Sequence, residues 1–373
     1  MLVLNLGSTE LKAASFSIPA GSLGDNKAPF EIERIAIQAD HRDARAPGPA
    51  SDRLLAEVVE RLPSLRTMPA VVAHRIVHGG DHAGAAELSV ELLEELQARC
   101  ALAPLHQPPA LALVRAASQR WPHARQVAAF DTSWHQSMPE ICRVLPIPYT
   151  LYLRGVKRYG FHGLAFQSAM RQLALLAPGL ARGRVVLAHL GGGSSLSAVV
   201  DGRCVNTTMG MTPLDGIPMS TRPGSLDPGV LLHLQRALGL GAEEIDQLLW
   251  HESGMKGISG ETGDMRQLLV SGSEGANRAI DVYVCAVVQG IAAMAASMRG
   301  IDGLVFSGGI GAHAATIRSR VCGQLDWLGV GIDPGANAQH ARELSAPNAG
   351  VRTFALAVDE ALEIALAAAA LPR

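Results

Sequence analysis

An α/β protein built from two related domains is what this sequence predicts, and three observations carry the prediction. The chain has 373 residues, more than one compact core suits, and enough for two domains of roughly 150 to 200 residues. A unit of apolar strand, small-residue turn and alternating strand occurs twice, as LVLNLGSTELKAASFS at 2–17 and as RVVLAHLGGGSSLSAVV at 184–200. A third glycine cluster, GLVFSGGIGAH at 303–313, follows another buried strand and precedes a helical stretch, AATIRSRVCGQL.

Taken in order, residues 2–6 and 11–18 read as two strands joined by the Gly-Ser-Thr turn. A hairpin here excludes a Walker loop and a dinucleotide fingerprint, because both need the glycine run to open a helix. The segment SDRLLAEVVER at 51–61 reads as a helix with Ser51 as its cap. AVVAHRIVHGG at 70–80 reads as a buried strand ending in a Gly-Gly turn, and the 184–205 unit closes on an Asp-Gly turn. The apolar stretches near 285–298 and 361–371 are too short or interrupted to cross a bilayer and read as buried helices. Recurrence of the strand-turn-strand unit predicts two domains facing each other across a cleft, each offering a loop of backbone N–H groups to a shared ligand. A polyphosphate suits such loops, because glycine and serine permit close backbone approach.

Composition narrows the function further. Lys plus Arg total 32 against 34 Asp plus Glu, which gives no global field to recruit nucleic acid or an acidic membrane. The five cysteines, Cys100, Cys142, Cys204, Cys285 and Cys322, are scattered without a Cys-x-x-Cys pair. They read as reduced thiols of a cytoplasmic protein. The amino terminus, its apolar run broken by Asn5 and Gly7, does not read as a secretory signal.

Further segments follow one another in an order that is itself informative: NLGSTELK, HRIVHGG, LAPLHQP, FDTSWHQSMP, RYGFHG, AHLGGGSSL, TPLDGIPMSTRPGSLDP, SGMKGISGETGDMR, SGGIGAH and GVGID. Over essentially its whole length the sequence resembles the acetate kinases, a family related to the sugar kinases and actin. The resemblance implies two ribonuclease-H-like domains of the actin-like ATPase type, with mixed sheets and the nucleotide in the interdomain cleft. The first would occupy 1–147, with a C-terminal helix at 357–373 packing back on it, and the second 148–356. The activity implied is reversible transfer of the ATP γ-phosphoryl group to acetate, giving acetyl phosphate and ADP. Magnesium as cofactor, a homodimer, and no nucleic-acid or membrane partner complete the implied picture.

That chemistry makes defined demands. A carboxylate is already ionised at neutral pH, so it needs alignment and charge neutralisation rather than a strong base. A loose phosphoryl transition state spreads charge over its equatorial oxygens, which planar arginines suit. By resemblance Arg222 grips the transferring phosphoryl group and Arg75 holds the substrate carboxylate. His162 steadies the transition state, His106 adds a polar contact, and Asp131 positions substrate and metal. Val77, Leu105, Phe161 and Pro213 form the apolar pocket, and Asn5 and Glu360 hold the metal. The nucleotide contacts implied are Ser8, Lys12, His189, Gly191, Gly192, Gly193, Asp264, Met265, Arg266, Gly308, Gly309 and Gly311. Glu360 also reads as a first-turn helix acid favoured by the dipole.

Four segments depart from the family pattern. Glu10 replaces a small hydroxyl residue in the opening loop, and Gly192 replaces an asparagine in the second loop. Ala312 and His313 replace Glu-Asn after GGIG, and Gln107 replaces the asparagine after His106. Two other readings compete: a propionate or other short-chain acyl kinase, and a catalytically weakened nucleotide-binding sensor of the same fold. Glu10, Gly192 and His313 point to the sensor, whereas Asn5, Arg75, Asp131, His162, Arg222 and Glu360 argue against it.

Overall fold

A computed structural model describes residues 1–7, 10–18, 28–39 and 49–372. These form two compact units, one of Met1–Gln136, Phe161–Ser168 and Asp359–Arg373, the other of Ser137–Gly160 and Ala169–Val358. The helices that bear on function are α1 (Pro49–Arg61), α2 (Gln107–Arg120), α3 (Gly163–Leu176), α4 (Glu274–Ser297), α5 (Gly308–His313) and α6 (Glu360–Ala369).

In the first unit Leu2–Leu6 (β1), Glu10–Ser17 (β2), Phe30–Gln38 (β3), Val71–Ile76 (β4), Ala86–Glu87 (β5) and Arg125–Phe130 (β6) build one sheet in the order β3-β2-β1-β4-β6-β5. The central strands β1, β4 and β6 run parallel, while β1–β2 and β2–β3 are antiparallel. Because side chains alternate along a strand, Leu2, Leu4 and Leu6 face one side, where they meet Leu55 and Val58 of α1 and Leu113 of α2. Val3, Ala73, Val127 and Ala129 face the other, under Ala361, Ile364 and Ala365 of α6. The alanines at that contact let α6 lie close to the sheet. α1 starts at Pro49, whose fixed φ suits a first helical position, so Ser51 is a buried residue within the helix and not its cap.

In the second unit Arg184–Leu190 (β7), Ser194–Val200 (β8), Arg203–Thr207 (β9), Gly303–Ser307 (β10) and Arg352–Ala355 (β11) are ordered β11-β10-β7-β8-β9. An antiparallel run of three strands continues into two parallel ones, the same plan as β3-β2-β1-β4-β6. The repeat read in the sequence is thus a repeat of whole sheets. Asp201 and Gly202 both take positive φ, 49° and 71°, as a two-residue hairpin turn of matching twist requires.

Two expectations are corrected here. The apolar stretch at 285–298 belongs to a 24-residue helix, α4, long and apolar enough by length and composition to cross a membrane. It is a core element nonetheless: Tyr283, Val284, Val287 and Ile291 pack with Val186, Leu196 and Leu304 of the sheet. The glycines at 308–311 are the first residues of a short helix, α5, so helical structure after β10 begins ahead of the stretch AATIRSRVCGQL.

Candidate active site

The alternation that buries Val3, Ala73 and Ala129 brings the next residue on the same face of each parallel strand to one place: Asn5, Arg75 and Asp131. All three stand at the carboxyl ends of β1, β4 and β6, where open α/β sheets bind ligands. Arg75 donates from Nε and Nη2 to Asp131, with Nη2 to Oδ2 at 2.7 Å, and from Nη1 to Asn5 Oδ1 at 3.3 Å. The first residue of α6, Glu360, completes the group. Its Oε2 accepts from Asn5 Nδ2 at 2.7 Å and lies 3.5 Å from Arg75 Nη1. Asp359 caps the helix by accepting from the Leu362 N–H, and its own N–H donates to Ser168, which fixes where Glu360 begins. Glu360 is therefore both a first-turn helix acid and a member of the cluster.

The charges in this group decide its chemistry. Asp131 is fully buried, and burial raises its carboxyl against the pull of the Arg75 guanidinium and a hydrogen bond from the His162 backbone N–H. Burial also opposes the charge on Arg75, but Asp131 and Glu360 outweigh it and bind the guanidinium proton more tightly than usual. One cation against two carboxylates leaves an excess of negative charge, which an added cation would relieve.

His162 sits beside Asp131 in a left-handed conformation, φ 59°, uncommon for a side chain of its kind. The strain is held by the neighbours. Gly163 donates to the Asp131 carbonyl at 3.0 Å, and a Cβ at 163 would lie only 2.1 Å from that carbonyl oxygen. His135, itself buried, donates from Nε2 to the Phe161 carbonyl at 2.9 Å. Val77 and Phe161 are buried in the same unit, and Leu105 and His106 are half-buried at the start of α2.

In the second unit the two glycine loops lie side by side at the carboxyl ends of parallel β7 and β10. His189 and Ser307 are register partners, joined Nδ1 to Oγ at 3.1 Å. A Cβ on Gly191 would stand 3.6 Å from the Gly309 nitrogen. Gly308, at φ 77°, is pressed against the Leu190 carbonyl, where a Cβ would come within 2.5 Å. Ser220 ties in two more segments. Its N–H donates to the Gly192 carbonyl at 3.1 Å and its hydroxyl to the Gly263 carbonyl at 2.9 Å, next to Asp264. Asp264 caps the short helix Met265–Ser271 and pairs with exposed Arg266 at 2.6 Å. Arg222, two residues from Ser220, is buried. It donates from Nη1 to the Pro213 carbonyl at 2.8 Å and lies over the Trp250 ring. Among the described residues it makes no ion pair, and burial lowers its guanidinium to about 10, so it stays charged at neutral pH.

Of the residues read from the sequence, Asn5, Arg75, Asp131, His162 and Glu360 meet in the first unit. His189, the glycines of both loops, Asp264, Met265, Arg266, Pro213 and Arg222 belong to the second. Ser8 lies outside the described residues. Lys12, register partner of Asn5, is exposed, and its Nζ is 3.6 Å from Glu10 Oε2. Both side chains reach solvent, so that ion pair offsets the Glu10 charge only in part. Arg75 is engaged with Asp131 and Asn5 rather than turned outward.

Sequence reasoning missed Arg318. It is fully buried on the helix after α5 and donates to the carbonyls of Gly311, Ala312 and Asn337 and to His340 Nδ1. It anchors the carboxyl end of α5 through the backbone at Ala312, one of the departing positions. The signal available was an arginine on the apolar side of AATIRSRVC.

Among the described residues no group of three or more His, Cys, Asp or Glu could hold a metal. Of the two residues read as metal ligands, Glu360 presents a carboxylate beside the excess negative charge, while Asn5 donates from Nδ2 to Glu360 and accepts on Oδ1 from Arg75. Such a carboxylate suits a hard divalent cation, which takes one or two carboxylates with water and phosphate filling the rest.

The acetokinase family model matches residues 1–366. The chain is 41% identical to the acetate kinase of Methylocella silvestris over 332 residues, 89% of this chain and 81% of that protein. It is 39% identical to the acetate kinase of Rhodopseudomonas palustris strain TIE-1 over 386 residues, 98% and 96% of the two chains. Among solved structures, a propionate kinase from Francisella tularensis superposes with a TM-score of 0.85 at 31% identity, covering 98% of both chains. Porphyromonas gingivalis acetate kinase does so with 0.81 at 31% identity, covering 98% of this chain and 97% of that one. The duplicated mixed sheets are those of a two-domain actin-like ATPase fold, and the chain belongs to the acetokinase family.

Proposed function

We propose that the chain transfers the γ-phosphoryl group of ATP to acetate, giving acetyl phosphate and ADP, by charge neutralisation and alignment. The observation that carries this reading is Arg222, a buried guanidinium that no carboxylate among the described residues neutralises, in the segment tied to the Gly192 loop. A buried cation of that kind is costly unless it meets an anion during turnover. The transferring phosphoryl group is that anion, and the guanidinium fork matches its equatorial oxygens.

The first unit receives the acid. Arg75 and His106 hold the carboxylate, and Val77, Leu105 and Phe161 surround the methyl group; by resemblance alone Pro213 is assigned an apolar role. Asp131 fixes Arg75, and the His162 ring donates to the charge that develops on the phosphoryl oxygens. The backbone N–H groups of the Gly191–Gly193 loop and of Gly308–Gly311 at the start of α5, with His189 and the Asp264–Arg266 segment, hold the nucleotide; Ser8 and Lys12 are assigned to it by resemblance. Glu360 and Asn5 would hold magnesium, which neutralises phosphate charge when bound. A second copy of the chain is the proposed partner, supported by the exposed Leu226, Val230, Leu232 and Leu238 around one helix. Five cysteines that form no disulfide among the described residues support a reducing, cytoplasmic setting. The second reading, a propionate kinase, rests on the likeness to the Francisella structure; one methylene is worth only about 1–3 kcal/mol in an apolar pocket.

Hydroxylamine trapping tests the reaction. With ATP and magnesium, acetate should give the most acyl hydroxamate, propionate less and butyrate least. No hydroxamate from any acid would overturn the kinase assignment and leave the sensor reading.

Restoring the second loop is a separate test. A Cβ at Gly192 would meet only the Ser220 hydroxyl, at 3.7 Å, so the backbone there admits a side chain without a clash at its first carbon. Gly192→Asn should tighten ADP binding by about three- to tenfold, the worth of one modest hydrogen bond, with an unchanged melting temperature. Calorimetric titration measures it, and identical affinity would remove position 192 from the nucleotide contacts.

A further inference from the structure

Gln107 has no exposed surface, and all of its polar contacts are to backbone. Its Oε1 accepts from the His78 N–H at 3.1 Å, and its Nε2 donates to the His78 carbonyl at 3.0 Å and to the Leu96 carbonyl at 3.3 Å. One side chain thus holds both main-chain groups of one residue. The rest of the segment is held in the same manner. Gly79 N–H donates to Thr132 Oγ1 at 3.1 Å, Gly80 N–H to His78 Nδ1 at 3.2 Å, and Gln136 Nε2 to the Gly80 carbonyl at 3.0 Å. Gly79 has no freedom to recoil, since a Cβ there would already stand 2.3 Å from the Phe130 ring.

His78 is the residue on which two pocket side chains depend. Val77 precedes it directly, and the Phe161 ring packs edge-on against its imidazole, centroids 5.4 Å apart at 68°. Moving the His78 backbone moves the Val77 Cα and withdraws support from Phe161 together. Gln107 also adjoins His106, so it couples the start of α2 to the end of β4.

We propose that Gln107 is a positioning residue that sets acyl-chain selectivity, by fixing His78 and through it the Val77 and Phe161 walls of the acid pocket. The inference rests on the pocket reading above and extends it to a residue that touches no substrate. A clamp on both groups of His78 restricts the outward shift that an added methylene needs. Releasing it relaxes selection between acids and leaves the nucleotide side alone.

The test compares kcat/KM for acetate and propionate, and the KM for ATP, in Gln107→Leu, Gln107→Glu and Val77→Ala, with a melting curve for each. Gln107→Leu should lower the acetate-over-propionate ratio about threefold or more, a fraction of what one methylene can carry, with the ATP KM unchanged. Gln107→Glu keeps the shape and the acceptor for the His78 N–H. Ionised, it sets a second oxygen against the His78 and Leu96 carbonyls; protonated, it can donate to His78 again. Burial favours the protonated form, so the ratio in this variant should approach wild type as pH falls and depart from it as pH rises. A lower melting temperature with an unmoved ratio in both Gln107 variants would make the clamp structural only and overturn the proposal. Should Gln107→Leu fail to fold, the pH dependence in Gln107→Glu decides alone. Val77→Ala tests the pocket separately. If it moves the ratio and the Gln107 variants do not, the pocket stands and the proposal falls. If it does not and they do, Val77 leaves the pocket and Gln107 keeps its role through Phe161; if none does, both fall.

Discussion

Replacing Arg222 with alanine is expected to remove about 10²- to 10³-fold of turnover, the scale set by deleting one charge-stabilising donor. Nucleotide binding should survive, because backbone groups of the glycine loops do not depend on the guanidinium. The loss belongs in kcat, since the guanidinium contributes more as negative charge spreads over the transferring group than it does before. Removing this charge also bears on stability. Burial lowers the guanidinium to about 10, below its unfolded value, so the unfolded chain binds that proton more tightly. At neutral pH the charged form is therefore held in the folded protein at a cost of about 3 kcal/mol by linkage. Against it stand about 1–3 kcal/mol for the Pro213 carbonyl left without its donor and about 1 kcal/mol for the contact with the Trp250 ring. Arg222→Met, which refills the volume, should therefore melt close to wild type while remaining inactive. Steady-state kinetics beside a melting curve checks both halves; an unchanged kcat would take Arg222 out of the mechanism.

Arg75→Ala should act in another way. Its guanidinium stands between Asp131 and Glu360, and without it two carboxylates share one buried corner. Breaking a buried pair by removing one partner costs about 3–5 kcal/mol, so the melting temperature should fall steeply. The KM for the carboxylate should rise along with the loss of kcat, because that charge contact exists before chemistry begins. Loss of the cation removes what opposed burial at Asp131, so its folded carboxyl moves further up. A folded carboxyl above its unfolded value binds more protons than the unfolded chain, so the variant should gain stability as pH falls and lose it as pH rises through the raised value. Adding Asp131→Asn should recover much of the melting temperature and none of the activity. A rise in the ATP KM alone would reverse the roles given to the two arginines.

Legibility in the sequence followed the range of the interaction. The hairpins β1–β2 and β7–β8 were readable because strand alternation and turn chemistry act over a few residues, and the Asp201–Gly202 turn is the clearest case. The start of α1 was misplaced because a proline at the first helical position replaced the serine cap that the pattern favoured. Glu360 stands 355 residues from Asn5, and no local periodicity reports a hydrogen bond over that separation. Only likeness to a family brought it in. Arg318 was passed over, and Gln107 was read only as a departure from the family pattern, for a common reason: a polar residue on a helix reads as solvated, and both are buried on backbone carbonyls that the sequence does not display. Ser220, which joins the Gly192 and Gly263 segments by one hydroxyl and one amide, gave no signal beyond its place in a motif.

The first unit is assembled from three separate pieces of chain, and the last of them, Asp359–Arg373, follows the whole of the second unit. Translation therefore delivers Glu360 only after residues 169–358 have been made. Until then the face of the first sheet that carries Val3, Ala73 and Ala129 lacks the helix that covers it. A nascent chain at that stage exposes apolar surface and lacks Glu360, the proposed metal ligand. The ribosome releases a competent enzyme or an incomplete one, with no functional half on the way. A chain stalled or clipped just before α6 should be a client of chaperones and proteases, and cells would be spared a fragment that binds ATP and hydrolyses it to no purpose.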